Sequence, residues 1–442
     1  MNENMSFIKK IYIWSVCLEP LYFFIFMSLA SSNLGLGRVL QIIVLFSLPI
    51  KLISNRFKVK SVNIFSPMYR YSSYLIIFSV FAWVGGLISG AYTLPLLSIE
   101  DTMMISIYRP VVEYIIAIYY FFYFVILARY MLNDTIAVDY FLKIFSMLFY
   151  FSLIIGLSDL ILMSVIDGYG GLGRQLKSMI SVGFRFHGIA GEPRDAFVYL
   201  ILGIGVLYLK DVWRDEQKLT KKRLLVIFVA IILTQSASGL IGLVFSSALL
   251  LMYSFSKITF NKKLLALLMI FLLNVIVILS VSYSPRVLLY YEAFLILYDT
   301  LLNGYEVESV LQYAMNNIYP IWHRWLELLD FNVLPLFFGT GLGSSSVVNN
   351  IYLDVNEVTN PNANAIRMLY DVGIIGVLLL IKSFIYPINK LLIDKDIQLK
   401  FLVCMIFVLG AYLAHRHVAP FLLLGLIVAV FENKFRASIH KA

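Results

Sequence analysis

The chain has 442 residues, of which 61% are hydrophobic and 14% are charged, and its net charge at neutral pH is +9. A soluble domain carries roughly 25% charged and 45–50% apolar residues, so no water-soluble fold hides this much apolar surface. The composition excludes a cytosolic enzyme, a nucleic-acid-binding module and a secreted disulfide scaffold, and it predicts an integral membrane protein. The positive charge then indicates cytoplasmic loops and contact with membrane lipid, and no nucleic acid is expected as a partner.

Apolar runs long enough to cross about 30 Å of hydrocarbon follow one another along the chain. The first run is interrupted by Glu19-Pro20 and is too long for the core of a cleaved signal peptide, so we interpret it as a membrane helix. Six spans are predicted in the first half of the chain: Ile11–Ala30, Leu34–Ile53, Tyr71–Leu94, Val111–Leu132, Ile144–Ile166 and a sixth from Ala196 to Leu209.

Two later apolar runs are each split by polar residues. The run Leu224–Phe255 is interrupted by Thr234–Gly239, and the run Phe401–Phe431 by His415-Arg416-His417 and Pro420. Each run therefore predicts two helices that meet at a polar tip. With two single spans the count reaches twelve, and these spans are Leu264–Val281 and Ala365–Tyr386.

The placement of Lys and Arg predicts the orientation. With the N-terminus inside, 25 of the 35 basic residues fall in cytoplasmic segments, as the positive-inside rule expects. The sequence thus predicts an all-α polytopic membrane protein, a single domain over residues 1–442 with about 12 transmembrane helices and both termini cytoplasmic. Two long loops, at about 167–195 and 282–364, face outward. Interfacial helices are expected in these loops, with Val287–Leu302 as the candidate that lies on the membrane.

Nine of the ten outer basic residues are Arg, whereas the cytoplasmic set holds 19 Lys and 6 Arg. The planar guanidinium binds phosphate oxygens in a bidentate manner, so this bias indicates anion recognition at the outer surface. Pairing of these arginines with outer acids such as Glu292 and Glu306 is the alternative, and it stays open.

The first outer loop brings titratable residues close to a helix start. Arg185, His187, Glu192 and Arg194 lie within ten residues, just before an apolar run. Such residues at membrane depth are candidates for a functional site, and Pro193 suits the first turn of the following helix. A helix-capping cluster, in which the acids of this loop complement the helix dipole, is the other interpretation.

The second outer loop contains glycines at 339, 341 and 343 and then an Asn-rich stretch, Thr359–Asn364, ahead of Arg367. The glycine run lacks the Lys-Ser/Thr of a nucleotide-binding loop, so ATP is not expected. Cys17 and Cys404 do not have metal-ligand spacing, and no metal site is predicted.

These motifs resemble the O-antigen polymerase (Wzy-type) family, which is related to the O-antigen ligases. Three features carry the resemblance: the segment Arg185–Pro193 with its Arg-Phe-x-Gly-x-x-x-Glu-Pro pattern, the broken helix pair around Thr234–Gly239, and the glycine loop that precedes Asp371-Val-Gly-Ile-Ile-Gly376. Ligases commonly carry His-Asn ahead of the late helix, and this chain has no His there.

The resemblance implies a metal-independent glycosyltransferase of the bacterial inner membrane that needs no cofactor. It would polymerise oligosaccharide repeat units linked to undecaprenyl diphosphate into O-antigen or a similar surface polysaccharide of the lipopolysaccharide pathway. The other implied partners are membrane lipid and a chain-length regulator. Candidates for the catalytic base are Glu192, His187 and His323, and the sequence does not choose among them. Candidates for binding the diphosphate and sugar are Arg185, Arg194, Arg286, Arg324, Arg367 and Arg416.

Two alternatives remain open. An O-antigen ligase would share the topology, and a lipid-oligosaccharide flippase or other transporter would also have twelve helices. Transporters usually show repeated halves and charges near the bilayer midplane, whereas the charges outside the cytoplasmic segments concentrate here in the two outer loops. Glu19, Glu113 and Asp159 nevertheless lie within apolar runs.

The predicted orientation can be tested with single cysteines. We expect Ala190→Cys to react with a membrane-impermeant thiol reagent added to intact cells or spheroplasts. Lys218→Cys should react only after permeabilisation, because residue 218 lies in the basic, cytoplasmic loop. The unaltered chain gives the background from its two natural cysteines, and labelling in the opposite sense would contradict the topology.

Overall fold

The computed structural model describes residues 5–21, 25–29, 32–54, 63–88, 109–166, 185–189, 193–216, 219–234, 236, 333–343, 364–411 and 417–439. Within these ranges the protein is a helical bundle with one short hairpin. The elements in chain order are α1 (Phe7–Leu18), β1 (Ile25–Leu29), β2 (Ser32–Gly35), α2 (Leu36–Ser54), α3 (Ser66–Tyr74), α4 (Val80–Ile88), α5 (Arg109–Phe121), α6 (Leu127–Met131), α7 (Thr135–Val165), α8 (Pro193–Arg214), α9 (Lys221–Leu233), α10 (Val333–Phe338), α11 (Asn364–Leu391), α12 (Lys395–Ala411) and α13 (Val418–Ile439).

Two pairs of these helices are continuous through a π-helical turn. Leu75–Ser79 joins α3 to α4, and Phe122–Ile126 joins α5 to α6. A single turn of 3₁₀ helix, Asn63–Phe65, precedes α3.

The prediction of an integral membrane protein with several spans is confirmed. Five segments of the described chain are long and apolar enough to cross a membrane: Val111–Met131, Thr135–Val165, Arg194–Arg214, Arg367–Leu391 and Val418–Phe435. Apolar side chains on their outward faces are exposed, as lipid contact requires; on α7 these include Ile154, Ile161 and Val165, which lie at helical spacing.

The predicted break in each split run is found where the structure describes it. Helix α9 ends at Leu233, one residue before the Thr234–Gly239 interruption, and α12 and α13 are separate helices on either side of the His415-Arg416-His417 segment. The spans predicted at Leu34–Ile53 and Val111–Leu132 are helical over nearly all of their length. The span Leu264–Val281 and the interfacial helix Val287–Leu302 lie outside the described residues.

The first predicted span, Ile11–Ala30, is wrong. Helix α1 ends at Leu18, the chain turns at Glu19-Pro20, and the antiparallel strands β1 and β2 follow. Proline has no N–H to continue the helix, which is why the apolar run breaks there. The strands pair Leu29 with Ser32 and Ile25 with Gly35, with an irregularity after Ile25.

Small residues allow the helices of the bundle to approach closely. A Cβ atom on Gly425 of α13 would overlap the backbone carbonyl of Phe124, and one on Gly203 of α8 would overlap the Phe149 ring of α7. Aromatic contacts fill the space beside Gly203, since Tyr199 lies 5.8 Å from Phe149 between ring centroids. Such close packing stabilises helix association where lipid removes the hydrophobic driving force.

Ion pairs at one end of the bundle connect helix termini that the sequence predicts to be cytoplasmic. Lys9 at the start of α1 pairs with Asp134 just before α7. Arg129 of α6 pairs with Glu432 of α13 at 2.5 Å, and Lys434 of α13 pairs with Asp215 after α8 at 2.6 Å. The opposite ends of α1, α8 and α13 therefore meet at the other end of the bundle.

Helix α11 is broken at Gly373, whose backbone angles (φ 65°, ψ −178°) are accessible only to glycine. The carbonyls of the preceding turn find donors outside the helix. Thr340 N–H donates to Tyr370 O at 2.6 Å and Gly341 N–H to Asp371 O at 3.2 Å, while Tyr74 Oη donates to Val372 O at 2.7 Å. The glycine loop 339–343 thus serves as a partner for the broken helix.

The Gly373 break predicts a specific sensitivity to alanine. In Gly373→Ala the new Cβ would lie 2.5 Å from Gly339 N, and the alanine would have to adopt an unfavourable positive φ. We therefore expect the free energy of unfolding to fall by about 1–3 kcal/mol. The measurement is the midpoint of thermal unfolding in detergent.

Gly85→Ala in α4 is the matched control, because no atom lies within 4 Å of the Cβ built there. Alanine at a helical position is neutral or slightly stabilising when space is open. Equal losses for the two variants, or none for Gly373→Ala, would contradict the role of the break.

Candidate functional site

The segment Arg185–Ile189, which lies in the first of the two loops predicted to face outward, packs into the bundle between α7 and α9. Phe186 N–H donates to Leu233 O at 2.8 Å, and Ile189 N–H donates to Ser152 Oγ at 3.1 Å. Gly188 has a positive φ of 55° and approaches Ser152 so closely that a Cβ would lie 2.9 Å from its hydroxyl. The absence of a side chain at Gly188 therefore allows this segment to approach α7 closely.

The charged residues of this loop occupy two environments. His187 is buried beside Phe186, and Arg185 is half-buried. Helix α8 begins at Pro193, as predicted, so Arg194 and Asp195 lie in its first turn and are both half-buried. Glu192 lies outside the described residues.

A cavity of about 200 Å³ lies where α1 ends and where α2, α8 and α13 begin. Its wall is formed by residues from these four helix termini and from α5. The lining includes Glu19, Arg38, Tyr120, Asp195, Tyr199 and His417, with Leu18, Pro20, Leu21, Gly35, Gly37, Val198, Leu202, Val418 and Ala419. In bulk water one molecule takes about 30 Å³, so this space admits a polar group several times that size.

Three helix N-termini surround this cavity. The first turns of α2, α8 and α13 each contribute lining residues. Free backbone N–H groups and the positive end of the helix dipole make such termini favourable to anions. Arg38 adds a guanidinium to the same wall, beside the carboxyl groups of Glu19 and Asp195. The features of the wall that favour an anionic group are therefore the helix termini and Arg38.

Glu19 is the most enclosed acid of the cavity wall, with 7% of its side chain exposed. Gln41 Nε2 donates to Glu19 Oε2 at 2.8 Å, and Arg38 Nε donates to Glu19 Oε1 at 3.4 Å. Tyr119 Oη donates in turn to Gln41 Oε1, which fixes the orientation of the amide. Burial raises the pKa of Glu19, and the charge of Arg38 and the hydrogen bonds from Arg38 and Gln41 partly offset this rise.

Gly37 allows α2 to reach Glu19. A Cβ at this position would lie 2.9 Å from Glu19 N and 3.1 Å from the carbonyl carbon of Leu18. The close contact between the end of α1 and the start of α2 therefore depends on the absence of a side chain at position 37.

His417 completes the cavity wall at the start of α13. Its Nδ1 accepts a hydrogen bond from Ala419 N–H at 3.3 Å, which satisfies a free donor of the helix N-terminus. Burial, and then the positive charge of Arg194, lowers the pKa of His417 to about 3. His417 is therefore neutral at physiological pH, and Arg194 lies close enough to influence it.

Arg367 lies in a different environment, a buried cluster between α5 and α11. Its Nη2 donates to Glu113 Oε1 at 2.9 Å, and its Nε lies 3.7 Å from Asp371 Oδ2. The side chains of Arg367, Glu113 and Asp371 are each at most 4% exposed, and Tyr71 is buried beside them. The prediction that Arg367 binds a diphosphate stays a prediction, since this geometry commits part of its guanidinium to carboxylates.

The predicted site residues that the structure describes do not line the cavity: Arg185, His187, Arg194 and Arg367 are all absent from its wall. Arg194 is related to the cavity through its charge, which acts on His417. Five of the predicted residues lie outside the described part of the chain: Glu192, His323, Arg286, Arg324 and Arg416. Within the described ranges, no three His, Cys, Asp or Glu side chains could together hold a metal ion.

None of Glu19, Arg38 and Gln41 is a site residue predicted from the sequence. The available signal was the charge of Glu19 in an apolar run, because a carboxylate within such a run needs a partner or a function. No protein-family model, curated protein or solved structure matches this chain. Assignment of a function therefore depends on the residues and their geometry.

The buried Arg367–Glu113 pair can be tested with a double-mutant cycle. Arg367→Met alone should destabilise the protein by about 3–5 kcal/mol, because it leaves the buried carboxyl groups of Glu113 and Asp371 without their cation. Glu113→Gln alone should cost less, because Asp371 Oδ2 still lies 3.7 Å from Arg367 Nε. The double variant should lose less than the sum of the two single losses. Thermal or denaturant unfolding in detergent provides the measurement.

The exposed pair Arg214–Asp139 is the matched control. Its side chains are 36% and 48% exposed, and Arg214 Nη2 lies 3.1 Å from Asp139 Oδ1. The same cycle there should give a coupling of at most about 1 kcal/mol. A coupling at Arg367–Glu113 as small as that of the control would overturn the structural role of the buried pair.

Proposed function

We propose that the protein is a membrane glycosyltransferase that polymerises lipid-linked oligosaccharide repeat units, as an O-antigen polymerase does, in the bacterial inner membrane. The observation that carries the proposal is the cavity at the end of the bundle. Three helix N-termini and Arg38 favour an anionic group there, and Arg194 lies nearby. A polyprenyl diphosphate supplies such a group at membrane depth.

The proposal includes the twelve-helix topology with both termini cytoplasmic and the loops at about 167–195 and 282–364 outside. The ion pairs of Lys9, Arg129 and Lys434 support it, because they join predicted cytoplasmic termini at one end of the bundle. The cavity lies at the other end, which is the outer end in this topology.

The reaction requires the protein mainly to position the two substrates and to stabilise the charge on the departing diphosphate. A hydroxyl of one repeat unit attacks the anomeric carbon of a growing glycan, and undecaprenyl diphosphate leaves with the bonding electrons. Because the diphosphate is already a good leaving group, no nucleotide or metal is required. Guanidinium groups such as those of Arg38 and Arg194 would stabilise the charge on the departing diphosphate. Arg185, Arg286, Arg324, Arg367 and Arg416 remain candidates for the same role.

A transporter of lipid-linked oligosaccharide is the second candidate, and one observation favours it. Helix α11 is broken at Gly373 next to the buried charges of Arg367 and Asp371, and discontinuous helices commonly form transport sites. Against it, the carbonyl oxygens of Tyr370, Asp371 and Val372 accept hydrogen bonds from donors of the protein itself. They are therefore already engaged, which favours a structural role for the break.

Deletion of the protein separates the proposed polymerase from both alternatives. Without a polymerase, single repeat units still cross the membrane and are ligated, so the cell surface should carry lipid core capped by one unit. Loss of a ligase would leave long polymer on the lipid carrier, and loss of a flippase would leave single units on the inner face. The measurement is gel electrophoresis of surface glycans together with analysis of the lipid-linked intermediates.

Complementation provides the control for this experiment. The wild-type chain should restore the polymer ladder, and Arg194→Ala should fail to do so at equal membrane abundance. Full-length polymer on the lipid carrier in the deletion strain would show a ligase and overturn the proposal. Normal polymer with Arg194→Ala would remove that residue from the site.

A further inference from the structure

Three carboxyl or imidazole groups line the cavity, and their surroundings suit them to different roles. Asp195 lies in the first turn of α8, where a carboxylate complements the helix dipole. His417 caps α13 through Nδ1, and its pKa of about 3 makes it a weak proton acceptor. Glu19 is the C-cap residue of α1, where its backbone N–H donates to Ser15 O, and its side chain caps neither α8 nor α13.

The hydrogen bonds around Glu19 resemble those expected of an oriented proton acceptor. Gln41 holds one carboxylate oxygen at 2.8 Å and is itself held by Tyr119, and Arg38 approaches the other oxygen at 3.4 Å. Two contacts thus fix the plane of the carboxylate while Glu19 remains part of the cavity wall. A base must be both oriented and within reach of the proton that it removes.

Resting on the function proposed above, we propose that Glu19 is the general base of the transfer, and that Gln41 is a positioning residue that orients its carboxylate. In the step, the acceptor hydroxyl oxygen forms a bond to the anomeric carbon as the bond from that carbon to the diphosphate oxygen breaks. The diphosphate leaves with the electron pair of the broken bond. The proton of the acceptor hydroxyl passes to a carboxylate oxygen of Glu19, so charge and atoms balance.

Burial makes Glu19 a better proton acceptor than an exposed carboxylate, since it disfavours the charged form. The base acts in its deprotonated form, so the rate should fall as the pH falls through the pKa of Glu19. Because burial raises that pKa, the acidic limb of the pH–rate profile should lie above the usual range of a carboxyl group.

The experiment uses the full-length protein in proteoliposomes, with lipid-linked repeat units extracted from membranes of the deletion strain as the probe. Glu19→Gln keeps the size of the side chain and one of its two acceptor oxygens but removes the base, so the rate of polymer formation should fall by about 10²–10⁴-fold. Glu19→Asp should retain more activity than Glu19→Gln. In Glu19→Ala, sodium formate should restore part of the rate by entering the vacated space.

Glu432→Gln is the matched control, because it makes the same carboxyl-to-amide change in the Arg129 ion pair at the other end of the bundle. It should remain within about threefold of the wild-type rate, with both variants compared at equal abundance and unfolding temperature. If Glu19 variants do not insert stably, Gln41→Leu gives a second readout. Loss of its hydrogen bond should move the acidic limb to higher pH, whereas a merely structural defect would lower the rate without moving the limb.

The outcomes separate the two proposals. If the wild-type protein forms no polymer from extracted repeat units, the proposed function fails, and the role of Glu19 fails with it. If the wild type is active and Glu19→Gln is within about threefold of it, the proposed function stands and Glu19 is not the base. An acidic limb that persists in Glu19→Gln would likewise assign the base to another group.

Discussion

Inside an apolar bundle, every backbone or side-chain polar group needs a partner from the protein, and this constraint explains the irregular parts of the structure. The break in α11 is tolerated because the glycine loop and Tyr74 supply donors to the carbonyls that precede Gly373. The carboxylate of Glu19 at the end of α1 is tolerated because Gln41 and Arg38 supply hydrogen-bond donors to its oxygens. In both places a glycine, at position 339 or 37, allows the supporting backbone to come close enough.

Two charged clusters among the described residues, one around Arg367 and one around Glu19, meet this constraint in different ways. Around Arg367, two carboxylates and a guanidinium are enclosed together, with side chains at most 4% exposed. Around Glu19, Arg38 remains 39% exposed and the same residues border an open space. A closed cluster holds α5 and α11 in place, whereas a bordered cavity leaves room for a ligand. This contrast is the reason for placing the chemistry at the end of α1.

Hydrophobicity and charge in the sequence predicted the long helices and the split of two apolar runs, because lipid imposes a length and a polarity on each span. They did not predict the end of α1, since the strand Ile25–Leu29 is as apolar as a membrane helix and only Glu19-Pro20 marked the boundary. The loop of Arg185 and Arg194 was identified from the density of its charges. The pairing of Glu19 with Gln41 could not be predicted from the sequence, because contacts between α1 and α2 depend on packing that no local pattern encodes.

The π-helical turns have a consequence for how this chain tolerates changes in length. Each such turn accommodates one residue more than an α-helical turn, and the turn at Phe122–Ile126 lies between Glu113 and Arg129. Removing one residue there would restore regular helix and rotate everything beyond it by about 100°. Glu113 would keep its direction towards Arg367, while Arg129 would turn away from Glu432. The angular register between the two ends of the molecule is therefore set by a single inserted residue.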